Sequence, residues 1–219
     1  MEQAAPLLEN RDINVQSEEC PRRLYSKDEL TGKWTVATWY CKKSTCDPCA
    51  RWKAGRQAER ILRFIGGRPC HHVVLTLQRT DEPLRRQLKQ LLKSFTKLKK
   101  RRCWTRNIRG GARFIHVDHD GFNGIWGPHM HLILEAENLP SHLFEQAWSK
   151  ITEGSWVTWD RRIDMDDYLD RGSSVGYASN VPFLKYRDDP VQVAAFGKGV
   201  KNVRLSAVLG GWRGKLKLS

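Results

Sequence analysis

Two hydrophobic periods alternate along this chain, and the changes between them divide it into elements. The run "HHVVLTLQ" (71–78) is β-branched and apolar, and it is bounded by Gly66-Gly67 and by Asp81-Glu82-Pro83, so it reads as a central strand. Over 82–102 the period lengthens. Leu84, Leu88, Leu91, Leu92, Phe95 and Leu98 recur at helical spacing and predict the buried stripe of a helix. Upstream, "KWTVATWYC" predicts a strand and "ARWKAGRQAERILRF" a helix. Downstream, "PSHLFEQAWSKI" predicts an amphipathic helix and "SWVTWDRRID" a tryptophan-rich strand. Residues 165–187 predict a helical segment interrupted near Gly172. A last helix and a basic, glycine-punctuated tail follow in "DPVQVAAFGKGVKNVRLSAVLGGWRGK".

Between these elements lies "GARFIHVDHDGFNGIWGPHMHLIL". Two apolar segments flank the Gly-, Asp- and Asn-rich loop "HDGFNG", which predicts a β-hairpin. Side chains alternate along a strand, so His129 and His131 share one face while Met130, Leu132 and Leu134 suit a core on the other. If the loop centres between Phe122 and Asn123, His116 faces His129. With the centre moved one residue along, His116 faces His131. Either register puts all three histidines on one face, and the register in between puts His116 on the other. Asp118 shares the face of His116 and is a candidate ligand or acceptor for a ligand's second nitrogen. Three imidazoles with open coordination positions suit a divalent catalytic ion.

The chain has 219 residues and is 40% apolar, enough for one sizeable core and a small appendage. The elements predict an α+β fold: an antiparallel sheet carrying the histidines, covered by helices on one side, with a zinc-binding knuckle in front. The expected divisions are a loose tail over 1–19, a knuckle with its basic helix over 20–66, and a main domain over 67–219.

Charge and cysteines sharpen this picture. Lys and Arg outnumber Asp and Glu by 38 to 24, a formal charge of +14 that favours a polyanionic partner such as nucleic acid. Arg51, Lys53 and Arg56 on the first helix and Lys93 and Lys97 on the second are candidate phosphate contacts. Most of the nine tryptophans suit a core, leaving one or two near a groove to stack single-stranded bases. No apolar run approaches the ~20 residues that span a bilayer. The polar N-terminus "MEQAAPLLENRDINVQSEE" does not resemble a secretory signal, so the expected setting is a reducing cytoplasm with no membrane partner.

Four of the six cysteines fall early: Cys20, then Cys41, Cys46 and Cys49 in "CKKSTCDPC". C-x4-C-x2-C is close-spaced ligand geometry, and the strand "KWTVATWYC" brings the chain back toward Cys20, so the four predict a structural Zn²⁺ site. Cys70 and Cys103 stand alone and suit packing as small hydrophobes.

These features together resemble the replication initiators of small rolling-circle plasmids and phages, which are endonucleases of the HUH (histidine–hydrophobic–histidine) class. "HMH" within "WGPHMHLIL" resembles the motif that names the class, "VVLTLQ" its first motif, and "RFIHVDHD" the hairpin strand before it, where many relatives carry Glu at the position of His116. Cys20 with "CKKSTCDPC" is similar to the family's N-terminal cysteine pattern. "SSVGYASN" resembles its tyrosine motif, and "GKGVKNVRLSAVLGG" its C-terminal element. The resemblance covers roughly residues 20–213.

The resemblance implies metal-dependent, site-specific nicking and rejoining of single-strand DNA through a covalent 5′-phosphotyrosine, starting rolling-circle replication. Tyr177 would be the nucleophile, with Tyr186 of "LKYRDD" as the alternative. His116, His129 and His131 would hold Mg²⁺ or Mn²⁺. The partners would be single-stranded or supercoiled origin DNA, with host helicase and polymerase. Many relatives carry Glu four residues before the tyrosine. Here that residue is Ser173, and Asp170 nearby is the candidate substitute. Two other readings stay open: a transposase or relaxase with the same chemistry, and a zinc-stapled nucleic-acid-binding protein without catalysis.

Overall fold

The structure, a computed structural model, describes residues 14–16, 20, 22–41, 46–120, 123–155, 157–180 and 190–218. They form two compact units, Met1–Ala50 and Arg51–Ser219.

The first unit is a small antiparallel sheet in the order β1 (Asn14–Gln16), β2 (Arg22–Lys27), β3 (Trp34–Trp39). β1 falls within the stretch 1–19, whose other residues lie outside the described ones. β2 and β3 form a hairpin that pairs Arg22 with Trp39 and Lys27 with Trp34. Its turn is closed by Asp28, whose Oδ1 accepts from the Leu30 and Thr31 backbone N–H groups, both at 3.0 Å. Gly32 in this turn has φ +66°, a conformation that strains other residues. The helix α1 (Asp47–Ile65) begins right after Cys46, and the division between the units falls within it.

The second unit is a five-stranded, wholly antiparallel sheet in the order β7-β4-β6-β5-β8. Its strands are β4 (Cys70–Thr76), β5 (Gly110–Asp120), β6 (Ile125–Glu135), β7 (Val157–Arg162) and β8 (Ser206–Gly210). β5 and β6 pair His116 with His129, the first of the two registers the loop allowed. The helices are α2 (Leu84–Leu98), α3 (Arg102–Thr105), α4 (Ser141–Thr152), α5 (Tyr168–Ser179) and α6 (Pro190–Val200).

Alternation along the strands gives the sheet two different faces. Val73, Leu75, Ile115, Val117, Met130, Leu132 and Leu134 line one, and they pack against the leucine stripe of α2, Phe144 and Trp148 of α4, and Phe196 and Val200 of α6. This is the larger core. The opposite face carries the histidines, and helices cover part of it as well. Ile61 and Ile65 of α1 and Val175 and Ala178 of α5 pack on Cys70, Ala112, Phe114 and Ile133. The expectation of helices on one side is corrected by that second layer. Apolar side chains at one end of the histidine face need cover, and only the other end stays open.

Leu88 of α2 is fully buried at the centre of the larger core. Leu88→Ala is expected to lower unfolding stability by about 2–5 kcal/mol, read as a lower urea midpoint with an unchanged slope.

Other differences are local. The helix expected over 82–102 ends at Leu98 and resumes as the short α3. The break expected near Gly172 is absent, and α5 runs through it. A mid-helix glycine costs only about 1 kcal/mol. Here the helix is held by buried Ser174, Val175, Ala178 and Ser179 and is capped by Asp167, which accepts from Leu169 N–H at 2.8 Å. Cys70 and Cys103 are buried among apolar groups, and burial pushes the Cys70 thiol up to about 12. Among the described residues, Trp104, Trp148 and Trp212 are core, whereas Trp34, Trp39 and Trp52 are exposed. No described helix is long and apolar enough to cross a membrane.

Candidate functional site

The open end of the histidine face is the floor of a cleft of about 600 Å³. β6 supplies His129 and His131, β5 supplies Asp118, and β4 adds His72 and Val74, while His116 of β5 is buried beside the other two histidines. Arg161 from β7 and Ser173, Ser174 and Tyr177 from α5 form the wall. The ring centroids of His116 and His131 are 4.1 Å apart, and those of His129 and His131 are 5.0 Å apart. One nitrogen from each of His116, His129 and His131 lies within 4.8 Å of the other two, so the three can hold one metal ion.

Hydrogen bonds decide which nitrogens are free for it. His116 Nε2 donates to the Ala178 carbonyl at 3.0 Å, which leaves the Nδ1 lone pair. His129 Nδ1 donates to the Gly127 carbonyl at 3.2 Å, which leaves Nε2. Asp118, on the exposed rim, has a carboxylate oxygen 3.7 Å from the same His129 Nδ1. His131 Nδ1 lies 3.0 Å from His72 Nε2, while its Nε2 is buried with no hydrogen-bond partner. A buried imine nitrogen without a partner is costly in a finished core, and a cation supplies what it lacks. With Nδ1–H of His131 donating to His72, its Nε2 carries the lone pair.

His116, His131 and their neighbour His72 are also held toward the neutral form. Burial and then the charge of His129 lower His116 to about 4. Burial and then Arg161 lower His72 to about 4. Burial, followed by the neighbouring His116, His129 and His72, holds His131 well below the usual imidazole range. Neutral imidazole is the form that binds a metal.

Tyr177 stands over this cluster. Its ring centroid is 5.2 Å from that of His131, 6.1 Å from His72 and 6.4 Å from His116, and 61% of the residue is exposed to solvent. α5 places it there because Val175 and Ala178 are anchored in the core on either side of it. Tyr186 lies outside the described residues. Asp170 does not line the cleft. Its carboxylate is paired with Arg161 and accepts from the Asp164 backbone N–H at 2.8 Å, so what reaches the cleft is the Arg161 guanidinium.

Two members of the site, His72 and Arg161, were not singled out from the sequence. The signal for His72 lay in the alternation of "HHVVLTLQ": Val73 and Leu75 take the core face, which leaves His72 and Val74 on the other. What the pattern omitted was the neighbour, since β4 lies against β6 through a pairing of residues about 60 positions apart.

The first unit carries a second cluster. The sulfurs of Cys20, Cys41, Cys46 and Cys49 all lie within 4.8 Å of one another, with Cys20–Cys49 at 3.2 Å and Cys41–Cys49 at 3.4 Å. A tetrahedron with metal–sulfur bonds of about 2.3 Å has edges of about 3.8 Å, so four thiolates at these separations fit one ion. The candidate phosphate contacts Arg51, Lys53 and Arg56 are exposed on α1, and Lys93 and Lys97 are exposed on α2, which packs on the sheet face opposite the histidines.

Comparison with known proteins follows the same residues. A protein called Protein rep, from Lactiplantibacillus plantarum, is 25% identical over an alignment of 141 residues that covers 59% of this chain and 43% of that relative. The chain thus matches less than half the length of the relative. No solved structure matches. The family model described as "Replication protein" matches residues 33–169, a stretch that includes Cys41, Cys46, Cys49 and all three clustered histidines and ends before Tyr177. Because the match covers more than half of the chain, from β3 to the start of α5, this protein belongs to the replication-protein family.

Proposed function

We propose that this protein nicks one strand of origin DNA and rejoins it through a covalent 5′-phosphotyrosine on Tyr177, initiating rolling-circle replication of a small plasmid or phage. The observation that carries this reading is the convergence of three imidazoles beside an open cleft, directly under an exposed tyrosine. His116, His129 and His131 would hold Mg²⁺ or Mn²⁺, and three nitrogens favour Mn²⁺ more than an all-oxygen site would. When bound, such an ion withdraws charge from the scissile phosphate and orients it.

The chain's own residues do the rest. Tyrosine is a weak nucleophile at neutral pH, with an ordinary pKa of about 10, so it works only against a polarised phosphorus. Tyr177 gives up its hydroxyl proton and forms the O–P bond as the P–O3′ bond breaks. The departing 3′-oxygen takes up a proton and becomes the hydroxyl that primes synthesis. The phosphotyrosyl ester retains the bond's energy, so the reverse step rejoins the strand without a nucleotide cofactor. Arg161 offers its guanidinium to a phosphate in the cleft, and Asp170, paired with it, sets its position. Ser173 lines the wall where many relatives carry Glu, and a water-activating role for Asp170 in termination would require it to leave Arg161. Arg51, Lys53 and Arg56 would hold flanking DNA. Lys93 and Lys97 would touch duplex outside the cleft, because α2 packs on the other face of the sheet. Host helicase and polymerase would then extend the freed end.

Incubation of the protein with supercoiled DNA of its own replicon and Mn²⁺ tests the reading. The expected product is an open circle with protein joined to a 5′ end. DNA binding without any metal-dependent nick would overturn it in favour of a non-catalytic binding protein.

We assign the four-cysteine cluster to a structural Zn²⁺. Protein purified without added zinc is expected to contain about one equivalent, and Cys49→Ser to lose it. Purified protein free of zinc would refute the assignment.

A further inference from the structure

The β2–β3 hairpin of the first unit presents a surface that neither metal cluster explains. Residues directly opposite one another in an antiparallel ladder share a face. The pairs Arg23↔Thr38, Tyr25↔Val36 and Lys27↔Trp34 therefore line one side of the hairpin. Trp34 is 56% exposed and Val36 54%, and every residue of β3 is exposed. The Lys27 ammonium lies 5.9 Å from the Trp34 ring centroid. Exposed Lys33 adjoins Trp34 at the turn. No carboxylate stands among these six residues, and the nearest acid before the turn, Asp28, is directed into its own turn.

Apolar side chains in a row on an exposed strand mark an interaction surface. Its composition selects the partner. Protein-docking cores are depleted in lysine, whereas cations interleaved with aromatic rings match a chain of phosphates carrying unpaired bases. The hairpin is also held at its open end, since Cys20 precedes β2, Cys41 follows β3, and the Cys41 N–H donates to Cys20 Sγ at 3.4 Å. A platform fixed in this way loses little conformational freedom when a strand settles on it.

We propose that this face of the hairpin binds single-stranded DNA: Trp34 stacks an unpaired base beside Tyr25 and Val36, while Arg23, Lys27 and Lys33 take the adjoining phosphates. The inference rests on the reading of the chain as a DNA-handling protein but not on the nicking chemistry.

The test is fluorescence anisotropy of a labelled mixed-sequence oligonucleotide of about 15 nucleotides, a length near the upper site size of single-strand binders. It is titrated with the full chain in the absence of Mg²⁺ and Mn²⁺. Trp34→Ala is expected to weaken binding about ten-fold, Lys27→Ala to weaken it and flatten its salt dependence, and Trp34→Phe, which keeps a ring, to stay within about three-fold of wild type. If wild type does not nick but oligonucleotide binding still depends on Trp34, the platform stands while the nicking reading fails. Unchanged affinity in Trp34→Ala, equal loss in Trp34→Phe, or equally tight binding of matched duplex would overturn the platform. So would a wild-type dimer that Trp34→Ala dissociates, since the face would then belong to a second copy of the chain.

Discussion

Tyr177→Phe is expected to abolish cleavage and covalent capture together, with a fall in nicking of at least about 10³-fold. The substitution deletes the attacking oxygen and leaves the ring, whose edge-on contacts with His131, His72 and His116 position it over the cluster. DNA binding and stability are expected to stay near wild type, because Tyr177 is largely exposed and the anchors of α5 are its buried neighbours Val175 and Ala178. The decisive measurement traps the protein on a labelled single-stranded origin oligonucleotide and maps the joined peptide by mass spectrometry. An adduct on Tyr186 would move the nucleophile to that residue. No adduct on any tyrosine would end the mechanism.

His129→Ala and His131→Ala are each expected to abolish nicking while sparing most DNA binding. Each removes one of the three donors proposed for a divalent ion and leaves the basic surface intact. His116→Ala is expected to weaken metal binding, and His116→Glu to retain activity, since a carboxylate is also a competent ligand. His72 gives the sharper test, because it acts through another residue. Its Nε2 lies 3.0 Å from His131 Nδ1, and by accepting the proton there it would turn the opposite nitrogen toward a bound ion. His72→Ala is expected to weaken Mn²⁺ affinity about 10–100-fold, the usual cost of losing such a partner, and His72→Gln, which keeps an acceptor, to restore part of it. Calorimetric Mn²⁺ titration separates this from a packing defect. Unchanged Mn²⁺ affinity in His72→Ala would show that the bond to His131 serves packing alone.

Much of the three-histidine cluster was legible because it is local. His116, His129 and His131 belong to one hairpin, and strand alternation together with the Gly- and Asn-rich loop confines the register to two choices that both gather them. The four cysteines were legible for a similar reason: two of them flank one hairpin, and the others sit three positions apart at the start of α1. Tyr177 was reached only through resemblance, since no periodicity distinguishes it from a packed tyrosine. Gly172 misled because its helix cost is small beside the burial of the residues that follow it.

The sequence by itself determined which residues share a face of each strand and helix, and therefore the α+β class, the leucine stripe of α2 and the histidine row. Those patterns repeat every two or every three to four residues, within the reach of the local backbone. Only the tertiary structure decided which faces meet. β4 beside β6 brought His72 to His131, β7 and α5 joined Arg161 to Asp170, and α1 and α5 covered one end of the histidine face while leaving the cleft open at the other. Such neighbours are chosen by burying apolar surface between segments far apart in the chain, a condition on the whole fold that no short window of sequence contains.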